Sequence, residues 1–169
     1  MADADPPDLG AYTTRAGAAA IGARLRRLSE RIDRDAGRLY AEIGVDFEQR
    51  WFGVLNLLSL FGPLSVGELA AALEVSHVAV SQVRQALTAA GLISWEADAR
   101  DGRRRALRLT DQGQALVERL APLWRALAEA AVELDQEAEA ALAALERLER
   151  ALARRSLLDR ARDRLAPRP

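Results

Sequence analysis

The chain has 169 residues, half of them hydrophobic and 29% charged, with a formal net charge of -1. That balance excludes a disordered polymer and a uniformly basic protein, so any nucleic-acid surface must be local. No cysteine and a single histidine exclude disulfides, cysteine redox sensing and Cys- or His-rich metal sites; neither a metal nor another cofactor is expected.

Residues 1–12 read as a loose tail, because Pro6 and Pro7 block a helix. The acidic start lacks the apolar run of a secretory signal, and no run approaches the roughly 18 apolar residues of a membrane span. A cytoplasmic protein without membrane association is the expectation. Few aromatics and abundant Ala and Leu favour helices over sheets. The first helix is expected from Thr14 to Ile43, where Ile21, Leu25, Leu28, Ile32, Ala36, Leu39 and Ile43 form one apolar stripe. Gly44 suits its end.

A second helix is expected from Phe47 to Phe61, with Asp46 as N-cap and Gly62-Pro63 as its break. It is apolar nearly all round and therefore central. Ser65 to Leu73 forms a short helix opened by the capping box of Ser65 and Glu68. Another runs from the N-cap Ser76 to about Ala90, closed by Gly91. Two short helices with a tight turn make a helix-turn-helix candidate.

Leu92–Glu96 and Arg105–Thr110 alternate like strands around an Asp101-Gly102 turn. From Ala99 to Arg108, five arginines against Asp101 give a local net charge of +4. All 24 basic residues are arginine, a pattern that a GC-rich coding bias explains most simply, although arginine is also the better fork for phosphate and guanine. Thr110 caps a long helix striped by Leu116, Leu120, Leu123, Leu127, Ala131 and Leu134, which Pro122 should bend. A last helix is expected over Gln136–Arg164, with Leu142, Leu145, Leu148 and Leu152 on one face.

The stretches "LSVGELAAALEVSHVAVSQVRQALTAAGLI" and "DARDGRRRALRLTDQG" resemble the MarR family of winged-helix transcription regulators. The resemblance rests on Glu68-Leu69-Ala70, Val75-Ser76, Val80-Ser81, Leu87 and Gly91-Leu92, then on Asp101 and Arg103 and on the L-T-x-x-G of Leu109, Thr110 and Gly113. It implies a mainly α fold with a small β-hairpin wing, a winged helix-turn-helix flanked by N- and C-terminal dimerisation helices. The divisions are 13–45 for the first dimerisation helix, 46–110 for the DNA-binding lobe with its wing at 92–110, and 111–165 for the C-terminal dimerisation helices. Glu74 departs from the family's usual glycine, at a turn position that often needs left-handed backbone.

Helix phase places Ala79, Val80, Val83 and Leu87 against the domain and Val78, Ser81, Gln82 and Gln85 outward, with His77 and Arg84 at a border. Gln82 or Gln85 suits adenine, Val78 a thymine methyl or merely an exposed apolar position, and Ser81 a base or phosphate. His77 is either a phosphate donor or an incidental surface residue. The wing brings Arg100 and Arg104 to the minor groove or its phosphates, and the family pattern has Asp101 orient Arg103. Arg105 and Arg108 reach phosphates or the first turn of the next helix.

The partners implied are double-stranded DNA, a second copy of the chain and a small-molecule effector. Ile21, Leu25, Leu28, Leu142, Leu145, Leu148 and Leu152 belong to the homodimer interface, matching a pseudo-palindromic operator. Tyr40, Phe47, Trp51 and Phe52 lie near the segment where the family binds ligands, though such residues more often belong to the core. No nucleophile–histidine–acid set or phosphate loop suggests an enzyme. The alternative is a winged-helix protein-interaction module that does not read DNA.

Overall fold

A computed structural model describes residues 12–97 and 105–165. The chain divides into two units, Met1–Leu120 and Ala121–Pro169.

In the first unit, the helix expected from Thr14 is interrupted. A short α1 (Tyr12–Arg15) and a 3-10 turn (Gly17–Ala20) precede α2 (Ile21–Glu42). Gly17 takes φ +53°, which a continuous helix cannot hold. Residues 21 to 35 are exposed on every side, whereas Ala36 and Tyr40 are buried. Arg119 closes the C-terminal end of α2 by donating from Nη2 to the Ile43 carbonyl at 2.7 Å.

The expected N-cap at Asp46 is also corrected. A 3-10 turn at Gln49–Trp51 comes first, and α3 covers only Phe52–Phe61, without a side-chain cap. Phe47 and Trp51 are buried, so the chain turns into α3 around aromatic side chains rather than around a polar cap.

The next two helices carry their caps. In α4 (Val66–Ala72), Ser65 Oγ accepts from the Glu68 N–H at 3.2 Å, and Glu68 Oε2 accepts from the Ser65 N–H at 2.8 Å. In α5 (His77–Ala89), Ser76 Oγ accepts from the Ala79 N–H at 3.1 Å. Between them Glu74 has φ +54°, so the turn does use left-handed backbone without glycine. That costs about 1–2 kcal/mol.

β1 (Ile93–Ala97) and β2 (Arg105–Leu109) pair antiparallel, with Trp95 opposite Leu107 and Ile93 opposite Leu109. Leu64, just before α4, adds a third, one-residue rung: its N–H donates to Leu107 O at 3.0 Å and its carbonyl accepts from the Leu107 N–H at 2.8 Å. The hairpin is thus tied to the start of the helix-turn-helix, a pairing that local patterning does not reveal. Leu55, Leu69, Leu87, Leu107 and Leu120 are fully closed to solvent, each contributing about 1.5–3 kcal/mol.

The L-T-x-x-G stretch joins hairpin to helix. Thr110 Oγ1 donates to the Gly91 carbonyl at 2.6 Å and accepts from the Gly113 N–H at 3.1 Å, capping α6 (Asp111–Glu137). A Cβ on Gly113 would lie 2.0 Å from the Leu92 carbonyl oxygen, so only glycine lets α6 approach the strand this closely.

The second unit begins inside α6. That helix continues through Pro122, which has no N–H to donate back along the helix. The single helix expected over Gln136–Arg164 is instead the end of α6, then α7 (Ala141–Arg154) and α8 (Leu157–Leu165). Glu139 and Ala140 take φ +54° and +65°, and Asp135 Oδ1 accepts from the Leu142 N–H at 2.7 Å. Extended backbone at Arg155 makes the second break, and Ser156 Oγ caps α8 through the Asp159 N–H at 3.1 Å. Leu142, Leu145 and Leu152 are exposed on α7, while Leu148 is half-buried. No helix among the described residues is long and apolar enough to cross a membrane.

Candidate nucleic-acid interface

α5 is seated through Val80, Val83 and Leu87, all buried. Its opposite side presents His77, Val78, Gln82 and Gln85 to solvent, with Val78 67% exposed. Ser81 and Arg84 are half-buried at the edges of that face, so Ser81 points less fully outward than the helical phase suggests. Solvated amide and apolar side chains on a capped helix offer donors, acceptors and a methyl-sized contact, the groups that distinguish base edges in a major groove.

His77 is held against a neighbouring element. A Cβ on Gly67 would lie 3.6 Å from His77 Cε1, so the imidazole sits beside the first turn of α4. An open groove beside this turn is lined by Ser65, Val66, Gly67, Glu68, Ala71, Trp95 and Arg105. Arg105 is exposed. Arg108 is not a free arm: its Nε lies 3.2 Å from Glu96 Oε2, across the hairpin. Arg100, Arg103 and Arg104, with Asp101, lie outside the described residues.

One contact was not legible in the sequence. The Arg84 guanidinium carbon stands 5.3 Å from the centroid of the Trp95 ring. This spacing suits a cation–π contact, and it joins α5 to β1. The available signal was the strand alternation that places Trp95 on the same face as Ile93.

The four aromatic residues near α3 are differently placed. Tyr40 and Phe47 have ring centroids 4.5 Å apart, and Phe47 meets Trp51 edge-on at 5.7 Å. Tyr40 donates from its hydroxyl to Gln49 Oε1 at 2.9 Å. All three rings are buried and Phe52 is half-buried, so this group is part of the core. Among the described residues, the buried indole nitrogen of Trp51 has no hydrogen-bond partner. Among the described residues, no group of three or more His, Asp or Glu is arranged to hold a metal.

Residues 44–104 match the MarR family. No curated protein matches the chain. Among solved structures, the S. aureus MepR–DNA complex is similar over 78% of this chain and 96% of its own, at 23% identity and a TM-score of 0.64. A probable transcriptional regulator from Pseudomonas aeruginosa is similar over 76% of this chain and 96% of its own, at 28% identity and a TM-score of 0.62. Bordetella bronchiseptica BpsR, whose DNA binding is regulated by 6-hydroxynicotinic acid, is similar over 75% of this chain and 83% of its own, at 23% identity and a TM-score of 0.56. The fold shared with these structures is a winged helix-turn-helix.

Proposed function

We propose that this chain, a MarR-family winged-helix protein by its residues 44–104, is a sequence-specific regulator that binds a pseudo-palindromic operator as a homodimer. The observation that carries this reading is the outward face of α5: His77, Val78, Gln82 and Gln85 stand in solvent on a helix anchored by Val80, Val83 and Leu87. Gln82 and Gln85 read bases, Val78 meets a thymine methyl, and Ser81, His77 and Arg84 contact the edges of the groove. Arg100, Arg103 and Arg104 supply the wing's cationic tip.

The homodimer reading is supported by two exposed apolar faces. Ile21, Leu25, Leu28 and Ile32 form one on α2, and Leu142, Leu145 and Leu152 form another on α7. Covering such faces with a second copy removes apolar surface from water and gives a twofold reader with half-sites about 34 Å apart. Residues 13–45 and 111–165 are the dimerisation segments in this scheme, and 46–110 the reading lobe. Effector control is carried over from BpsR as an analogy; Tyr40, Phe47, Trp51 and Phe52, being packed as core, are not assigned to its site. The working compartment is the cytoplasm.

Selection from random duplexes with the purified chain tests the function. The expected result is enrichment of an inverted repeat bound at about nanomolar Kd, with affinity falling steeply as salt rises. Arg100→Ala and Arg104→Ala each flatten the salt slope by about 0.9. No enriched motif, or binding indifferent to salt and to these arginines, would overturn the proposal and favour the protein-interaction module.

A further inference from the structure

We infer that Trp95 is a positioning residue for DNA binding: its indole holds the Arg84 guanidinium at the seam between α5 and the hairpin, where it meets a backbone phosphate. This role rests on the DNA-reading function proposed above. The two residues come from different elements, Arg84 from α5 and Trp95 from the middle of β1. Their 5.3 Å separation lies inside the range of about 6 Å over which a ring face attracts a guanidinium.

The surroundings fix the ring more than the arginine. Trp95 is opposite Leu107, which is fully buried, and shares its face of the hairpin with the buried Ile93. Trp95 is 38% exposed, so most of the residue is covered by the chain, with Arg84 standing over its ring. An arginine without such a platform samples many rotamers and loses them on binding. One already held over a ring loses fewer, and its planar donors are ready for phosphate oxygens.

Position argues for phosphate over base. The outermost places on α5 belong to Val78, Gln82 and Gln85, which are exposed, whereas Arg84 is half-buried at the border facing the hairpin. A side chain at that border meets the wall of a major groove rather than its floor. Arg105, which shares the groove beside α4 with Trp95, adds a second cation on the same side. The pair also fixes α5 against β1, so reader and wing approach the duplex in one register.

The test uses the full chain and the operator duplex found by selection. Arg84→Ala should flatten the dependence of log K on log salt by about 0.9 and leave base preference unchanged. Trp95→Leu should weaken binding about two- to fivefold, and Trp95→Phe should keep most of the affinity. In the Arg84→Ala background, Trp95→Leu should cause no further loss. The role is overturned if the Trp95→Leu loss persists undiminished in that background, if Phe rescues no better than Leu, or if Arg84→Ala leaves the salt slope unchanged. Should Trp95→Leu fail to fold, the wild-type NMR spectrum decides. The Arg84 δ and Nε protons, assigned with Arg84→Lys, should be moved upfield by the ring, and ordinary positions would overturn the contact. A wild-type chain that selects no duplex removes the DNA-reading function and this role with it. Wild-type binding with the negative outcomes above removes this role alone.

Discussion

Replacing Gly113 with alanine tests how tightly the hairpin is joined to α6. The new Cβ would stand 2.0 Å from the Leu92 oxygen, 3.0 Å from its carbonyl carbon and 3.3 Å from Leu109 Cδ2. A carbon–oxygen contact needs about 3.3 Å, so strand and helix must separate by more than 1 Å. The Leu92 oxygen also accepts the Thr110 N–H at 3.0 Å, and that movement breaks the bond. Overpacking costs about 1–3 kcal/mol and the lost bond about 1 kcal/mol. Alanine's better helix propensity returns about 1 kcal/mol. The expected net loss is about 1–3 kcal/mol, or a fall in Tm of roughly 2–12 °C. Urea unfolding followed by far-UV circular dichroism measures it, as a lower midpoint at unchanged slope. Gly22→Ala is the control, because a Cβ there meets nothing within 4 Å inside α2, and it should be neutral or stabilising. A Gly113→Ala protein as stable as the parent would refute the reasoning.

Glu74→Gly should stabilise the chain by about 0.5–1 kcal/mol, since relief of left-handed strain outweighs glycine's extra unfolded-state freedom; chemical denaturation checks it. Ser65→Ala and Ser76→Ala should each cost about 1 kcal/mol in the same assay. Gln82→Ala or Gln85→Ala should weaken operator binding by about 1–3 kcal/mol while leaving Tm and the salt slope unchanged, as read by fluorescence anisotropy. Leu25→Arg and Leu142→Arg should give monomers by light scattering, because each places a charge in a face proposed to be covered by a second copy.

The legible parts of the fold were those written in local chemistry. Ser65 with Glu68, and Ser76 alone, mark the starts of α4 and α5 by bonds made within a single turn. The spacing of Val80, Val83 and Leu87 gave the buried side of α5, and with it the side left to solvent. The illegible parts depend on what a segment meets elsewhere. Glu139 and Ala140 are good helix formers, yet both are left-handed where Asp135 folds back to the Leu142 N–H. Leu64 pairs with Leu107 forty-three positions away, and Arg84 reaches a ring on a strand. Asp46 had the chemistry of a cap, but the burial of Phe47 and Trp51 shifts the start of α3 to Phe52.

The bare shaft of α2 carries one more implication. Residues 21 to 35 shelter no side chain of their own, and a solitary helix of that length is only marginally stable in water. If the second copy proposed above covers it, its ordering obeys mass action, growing firmer as molecules become more numerous and loosening on dilution. Abundance itself would then act as a dial on how much competent regulator exists.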